Sequence, residues 1–130
     1  MPVKQSQLEM LFAEQLRQAG EEDFLEQQNT PYINTWSHGR VADFFWPQEG
    51  LVVECQGGTW NNGAHVRGKG YENDSYKLNA AALNGYFTLY LTTDMIMRTE
   101  EGLKQTLAVL EQLRERTTSR ISQDSQHLQA

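Results

Sequence analysis

The chain has 130 residues, 38% of them hydrophobic and 22% charged, which is the balance of one folded domain and not of a disordered chain. Its single cysteine, Cys55, excludes an internal disulfide and a multi-cysteine zinc site, and it fits a reducing compartment. The formal net charge of −6 weighs against nucleic-acid binding, because phosphate binding usually needs an excess of Lys and Arg.

The first predicted element is a helix that begins after Ser6. Ser6 and Glu9 have the spacing of a capping box, and Gly20 ends the helix. Between them lies an apolar stripe at helical spacing, made of Leu8, Leu11, Phe12, Leu16 and Ala19. The acidic residues 21–28 predict a further helical turn or two, which the Asn-Thr-Pro sequence at 29–31 ends.

Two extended segments follow and predict an antiparallel hairpin. Residues 40–46 are rich in branched and aromatic side chains, residues 47–50 have turn chemistry, and residues 51–56 form the second strand. A further strand is compatible with residues 32–36. The five glycines of residues 57–70 predict a long loop.

The second half predicts a helix at residues 71–84 that stops at Gly85, a buried strand at 86–92 and an amphipathic helix at 100–116. The apolar face of the last helix predicts core packing, with a dimer contact as the alternative; it consists of Leu103, Leu107, Leu110 and Leu113. The order of elements predicts one α/β domain over residues 1–116, with a mixed sheet flanked by helices. Residues 117–130 predict a polar, frayed tail.

Asp43 and Glu54 are lone carboxylates in the two apolar strands of the hairpin, where burial is costly without partners. If they meet across the hairpin, they offer hard oxygen ligands for Mg²⁺ or Mn²⁺, with the backbone carbonyl of Cys55 as a third. Each carboxylate alone is more often exposed to solvent, or paired with an arginine such as Arg40. The presence of both carboxylates in adjacent apolar strands, followed by Gly-Gly and a basic segment, favours a functional site.

Basic side chains surround this hairpin, although the chain as a whole is acidic. They are Arg40, Arg67, Lys69 and Lys77, whereas much of the acid lies nearer the two ends. We expect His65, Arg67 and Lys69 to contact backbone phosphates together with Arg40, and Trp60 to stack on a base. The alternative is a solvated loop whose tryptophan covers the edge of the core.

The segment ADFFWPQEGLVVECQGGTWNNGAHVRGKGYENDSYKLNAAALNGY resembles small phage and bacterial endonuclease-like proteins of the PD-(D/E)XK nuclease superfamily, which are similar to Holliday-junction resolvases. The shared sequences are Asp-Phe-X-Trp-Pro, Val-Glu-X-X-Gly-Gly-Thr-Trp, His-X-Arg-Gly and Lys-X-Asn-Ala, in that order. The resemblance runs from about Leu8 to Met97. It implies a restriction-endonuclease-like αβββαβ core and metal-dependent cleavage of DNA, with Asp43 and Glu54 as metal ligands.

The resemblance also implies roles for three further residues. It places an acidic residue of the first helix at Glu9, as a ligand of a second metal ion; the alternative is that Glu9 only completes the capping box. The superfamily's usual lysine, two positions after the strand glutamate, is replaced here by Gln56, which can orient water but carries no charge. Lys77 on the following helix is the expected replacement for that positive charge.

The expected partner is DNA, and a domain of this size favours recognition of DNA shape over a long base sequence. Branched DNA such as a four-way junction is the leading expectation, and it would favour a symmetric dimer that acts in DNA recombination. A nicking or strand-invasion role in phage replication is equally compatible. No apolar run could span a bilayer and no signal sequence is recognisable, so we expect a cytoplasmic protein in a bacterial or phage-infected cell. The rival interpretation is a weakened nuclease fold that acts as a DNA- or protein-binding module.

Overall fold

A computed structural model describes the protein at residues 6–27, 41–56 and 64–129, with the backbone alone at 64–71, 73–74 and 125–129. These ranges contain four helices and four strands. In chain order they are α1 (Gln7–Gln18), β1 (Leu25–Glu26), β2 (Phe44–Trp46), β3 (Leu51–Gln56), α2 (Ala64–Leu83), β4 (Phe87–Thr92), α3 (Thr93–Met97) and α4 (Glu101–Gln129).

The four strands form one mixed sheet in the order β1-β2-β3-β4. The pairs β1–β2 and β2–β3 are antiparallel, whereas β3 and β4 are parallel and α2 connects them. Phe45 pairs with Val52 in the hairpin, and Glu54 pairs with Tyr90 across the parallel ladder. The predicted α/β class, with a mixed sheet between helices, is therefore confirmed.

The turn between β2 and β3 depends on Gly50. Its φ is +71°, a left-handed conformation that glycine adopts without steric cost. Its amide donates a hydrogen bond of 2.8 Å to the Trp46 carbonyl, which closes the turn. A Cβ at this position would also lie 3.4 Å from the Tyr86 ring. The predicted hairpin and its turn are confirmed, but its first strand is Phe44–Trp46 and not the whole of the predicted residues 40–46.

Strand alternation divides the apolar side chains between two cores on opposite faces of the sheet. On one face the sheet packs against α1, α3 and α4; the larger side chains of this core are Phe12, Leu16, Phe44, Trp46, Leu51, Val53, Leu91, Ile96, Leu110 and Leu113. On the other face a smaller core forms under α2, from Ala42, Phe45, Val52 and Ala81. Ala81 is fully buried there, and a residue this small lets the helix approach the sheet closely.

The apolar face of α4 belongs to the main core, as predicted. Leu110 and Leu113 are buried, and Leu103 packs against the same cluster. Arg114 follows Leu113 in α4. It donates two hydrogen bonds of 2.9–3.0 Å to Glu21 and one of 3.0 Å to Glu49. This helix is therefore tied both to the segment after α1 and to the β2–β3 turn.

The acidic segment after α1 is not α-helical over residues 21–26, which corrects the helical turns predicted within residues 21–28. Residues 21–24 are irregular, and Leu25 pairs with Phe45 at the edge of the sheet. Phe24 is buried against the rings of Phe44 and Trp46, at centroid distances of 5.8 and 5.4 Å. An isolated helix this short is marginal, so burial of Phe24 and strand pairing decide the conformation.

Two helices are longer than predicted. The second begins at Ala64, seven residues before the predicted start, because glycine weakens a helix by about 1 kcal/mol relative to alanine but does not break it as proline does. The last continues to Gln129 through the segment predicted as a tail. No Gly or Pro occurs after Gly102, and the hydroxyls of Thr117 and Thr118 donate hydrogen bonds to carbonyls one turn earlier.

Among the helices in the described ranges, none combines the length and the apolar character that crossing a bilayer requires. The strand considered at residues 32–36 lies outside the described residues.

Candidate functional site

Asp43 lies immediately before β2 and is 7% exposed. Its Oδ2 accepts a hydrogen bond of 2.8 Å from the backbone amide of Cys55. The β2–β3 register pairs Phe44 with Val53, so its continuation by one residue sets Asp43 opposite Glu54. The two predicted carboxylates are thus neighbours across the hairpin.

Glu54 is the fourth residue of β3 and only 3% exposed. It lies on the face of the sheet that α2 covers, as strand alternation from Val52 requires. The Lys77 ammonium of α2 forms an ion pair with Glu54 Oε2 at an N–O distance of 3.5 Å. Glu54 Oε1 is buried and has no hydrogen-bond partner in the described part of the chain.

Glu9, in the first turn of α1, is the third buried carboxylate and is 8% exposed. Its backbone amide donates a hydrogen bond of 3.1 Å to the Ser6 hydroxyl, so the predicted N-cap exists. Its side chain is also buried: Oε2, among the described residues, lacks a hydrogen-bond partner. Hydrogen bonds with Ser6 lower the pKa of the Glu9 carboxyl, so the capping interaction and the buried position occur together.

The charge of Asp43 acts on both of the other two carboxyl groups. Burial, and then the negative charge of Asp43, raise the pKa of Glu9 from 4.5 to about 7, although Ser6 and Lys77 oppose this shift. The same two causes raise the pKa of Glu54 well above its ordinary value, against the opposing effect of Lys77. Burial and the charges of all three carboxylates also raise the pKa of the Cys55 thiol. This end of the sheet therefore carries more buried negative charge than Lys77 neutralises.

The donor chemistry of this cluster fits a hard divalent cation. Carboxylate oxygens are the ligands that Mg²⁺ and Mn²⁺ prefer, and Glu9 and Glu54 each have a buried oxygen that needs a partner. Across the described residues, however, no three His, Cys, Asp or Glu side chains form a group that could hold a metal ion. Mg²⁺ does not need three protein ligands, since it commonly keeps several waters and uses one or two protein carboxylates.

The remaining predicted residues of the hairpin are Cys55 and Gln56. The Cys55 side chain packs against the main core and its amide holds Asp43, while the role of its carbonyl oxygen stays a prediction. Gln56 is half-buried, ends β3 and pairs in register with Thr92 of β4. It lies on the same face of the strand as Glu54, where a water-orienting group was expected.

The five side chains that were expected to contact DNA all lie outside the described part of the structure. Arg40 and Trp60 lie outside the described residues. His65, Arg67 and Lys69 have their backbone in the first two turns of α2, which replaces the predicted loop, and their side chains are outside the described part.

Sequence reasoning missed a cleft that adjoins the carboxylates. It lies between the start of α1 and α3, and Glu9 and Cys55 line its inner end. The helix α3 was itself not predicted, although Thr92 provides a recognisable N-cap: its hydroxyl accepts a hydrogen bond of 3.3 Å from the Met95 amide.

Comparison with models of protein families, with curated proteins and with solved structures finds no significant match for this chain.

Proposed function

We propose that this protein is a divalent-metal-dependent DNA endonuclease of the PD-(D/E)XK type. The observation that carries this proposal is the buried pair Asp43 and Glu54 next to Lys77, with the buried Glu9 within electrostatic reach of Asp43. A buried carboxylate whose charge raises the pKa of two buried neighbours destabilises a fold unless the group binds a cation or serves chemistry.

The architecture supports the same proposal. Helix, three antiparallel strands, helix and a fourth strand parallel to β3 follow one another in the order αβββαβ. This is the order that the sequence resemblance implies for a restriction-endonuclease-like core. The acidic residues come from α1, from the start of β2 and from β3, and the lysine comes from α2.

Asp43 and Glu54 are the residues that would hold Mg²⁺ or Mn²⁺, with Glu9 as a ligand of a second ion. Such an ion, when bound, lowers the pKa of a water molecule and polarises a phosphoryl oxygen. The Cys55 amide fixes the Asp43 carboxylate, and Lys77 fixes one oxygen of Glu54. The protein thereby holds both carboxylates in position before a substrate arrives.

Two further side chains complete the proposed site. The Lys77 ammonium is held 3.5 Å from Oε2 of Glu54, a proposed metal ligand. At this position it stabilises the negative charge that develops on the phosphate. Gln56 orients the attacking water through its amide, since it has neither the charge of a lysine nor the basicity of a carboxylate. We propose branched DNA as the substrate, a homodimer as the active form and the cytoplasm as the compartment.

The test is cleavage of labelled linear, nicked, flapped and four-way-junction DNA with Mg²⁺, Mn²⁺ or EDTA. We expect cutting that needs the metal ion and that Glu54→Gln abolishes. Glu14→Gln is the matched control, since Glu14 is an exposed glutamate of α1. Cutting in EDTA, or undiminished cutting by Glu54→Gln, would refute the proposal.

The second candidate function is a DNA- or protein-binding module built on a weakened nuclease fold. Gln56 favours it, because the position lacks the charged group of the resembled family, and so does the net charge of −6. This module would bind its partner equally well in EDTA and would release no product from any of the four DNA substrates.

A further inference from the structure

A cleft of about 580 Å³ opens beside the carboxylate cluster. Its wall is formed by α1 on one side and by α3 on the other, with the end of β3 at its base. The lining residues that matter here are Leu8, Glu9, Leu11, Cys55, Thr93 and Met97. Glu9 lines the cleft and is within electrostatic reach of Asp43, so a molecule bound in the cleft would lie close to the carboxylate cluster.

The chemistry of the cleft is unsuited to phosphate. None of its described lining residues is Lys, Arg or His, and Glu9 carries the acidic group at its inner end. The walls are instead apolar and accessible: Leu11 is 38% exposed and Met97 is 63% exposed. A flexible thioether and a leucine side chain offer a surface on which a flat, uncharged ring can pack. The hydroxyl of Thr93 and the amide of Gln7 provide hydrogen-bonding groups at the rim.

A single nucleobase satisfies these conditions, whereas a base within a duplex does not. A paired base is stacked on both faces and cannot enter a cleft between two helices unless it leaves the stack. An unpaired base at a bulge, flap or junction pays a smaller cost. The volume also exceeds that of one base, so the attached sugar can enter with it.

We propose that this cleft binds an unpaired nucleobase of the DNA strand next to the scissile phosphate, and so selects DNA with an unpaired nucleotide. The inference rests on the proposed nuclease function and names its substrate class. Leu11 and Met97 contact the ring, and Thr93 contacts its polar edge.

The experiment compares two labelled duplexes that differ in one group. Both carry one unpaired nucleotide, which has its base in the first duplex and is an abasic sugar in the second, so the phosphate charge is equal. Affinity is measured by fluorescence anisotropy in Ca²⁺, for the wild type and for the Leu11→Ala/Met97→Ala variant. Met10→Ala is the matched control, because Met10 is 57% exposed on the same helix and does not line the cleft.

We expect the wild type to bind the duplex with the base about tenfold more tightly than the abasic one, because packing of the ring on Leu11 and Met97 removes apolar surface from water; a tenfold difference corresponds to about 1.4 kcal/mol. The double variant should lose most of this preference, and Met10→Ala should keep it. Because Leu11 and Met97 are solvent-accessible, both truncations should leave the melting temperature nearly unchanged.

Equal affinity of the wild type for the two duplexes, or an unchanged preference in the double variant, would overturn the inference. Cleavage of the same duplexes in Mg²⁺ judges the nuclease function separately. Cutting without a preference for the base would refute the cleft alone. A preference for the base without any cutting would refute the nuclease and leave the cleft as a binding site.

Discussion

The carboxylate of Asp43 accepts a hydrogen bond of 2.8 Å from the backbone amide of Cys55. Asp43 is the residue before β2, and Cys55 follows Glu54 in β3. The hydrogen bond from Cys55 to the Asp43 side chain therefore extends the β2–β3 pairing by one residue beyond Phe44. Two buried acids are held side by side as a result. This arrangement costs stability through repulsion, and it is the reason that a cation is expected between them.

Asp43→Asn should remove cleavage while preserving the fold. Its amide oxygen can still accept the hydrogen bond from Cys55, but the negative charge is lost. We expect a loss of more than about 100-fold in the cleavage rate, since even outer partners of metal ligands contribute 10–100-fold. Single-turnover kinetics in Mg²⁺ would measure this loss, and circular dichroism would verify the fold. Undiminished cleavage would remove Asp43 from the site.

Lys77→Met should slow cleavage by about 10²–10³-fold, the range found when one group that stabilises a transition state is removed. Lys77→Arg keeps the charge and should retain part of the rate. Lys104→Met is the control, because Lys104 is an exposed lysine whose ion pair with Glu101 lies within α4. If the methionine and arginine variants behaved alike, the positive charge at this position would not matter.

Glu9→Gln should make the metal-free protein more stable near neutral pH. The folded pKa of Glu9 is raised from 4.5 to about 7, so the folded state holds the proton more tightly than the unfolded chain. The stability contribution is therefore complete below about pH 4.5 and is lost as the pH rises toward 7. Neutral glutamine avoids this loss, which is on the order of 2 kcal/mol.

Urea unfolding in EDTA at pH 5 and at pH 7.5 measures the effect of Glu9. The difference between wild type and Glu9→Gln should be larger at the higher pH, and Mg²⁺ should reduce it by stabilising the ionised wild type. Glu14→Gln should show no such pH dependence. The same difference at both pH values would indicate that burial and the charge of Asp43 do not raise the pKa of Glu9.

Arg114→Met should destabilise the fold without affecting cleavage. Arg114 binds Glu21 and Glu49, and Glu21 also accepts a hydrogen bond of 3.2 Å from the Trp46 indole. Because the Arg114 side chain is 45% exposed, we expect a loss of only about 1 kcal/mol. The substitution Arg120→Met, at an exposed position further along α4, is the control.

The same contacts predict a pH dependence of opposite sign to that of Glu9. Hydrogen bonds from Arg114 lower the pKa of Glu21 below 4.5, so this stabilisation is present above the unfolded pKa and is lost as the pH falls through the folded one. Urea unfolding between pH 6 and about pH 3 should show a steeper acid loss in the wild type than in Glu21→Gln. Parallel curves would contradict a role for this ion pair.

The sequence by itself determined the elements whose signals are local. The cap at Ser6, the turn at Gly50 and the helix stop at Gly85 follow from side-chain hydrogen bonding and from glycine's access to positive φ. The alternation of side chains in β3 likewise sets Glu54 and Val52 on one face of the strand. These rules need only neighbouring residues, so they can be applied without knowledge of the fold.

Only the tertiary structure decided how distant segments meet. The acidic composition of residues 21–28 predicts helical turns, yet burial of Phe24 against Trp46 and pairing of Leu25 with Phe45 produce an irregular segment at 21–24 and an edge strand at Leu25–Glu26. Capping chemistry places the carboxyl of Glu9 near Ser6, but only the packing of α1 on the sheet buries it within electrostatic reach of Asp43. The cleft beside it exists because α3 follows β4 and faces the start of α1. No local pattern predicts such contacts, since they depend on the close packing of elements that are far apart in the chain.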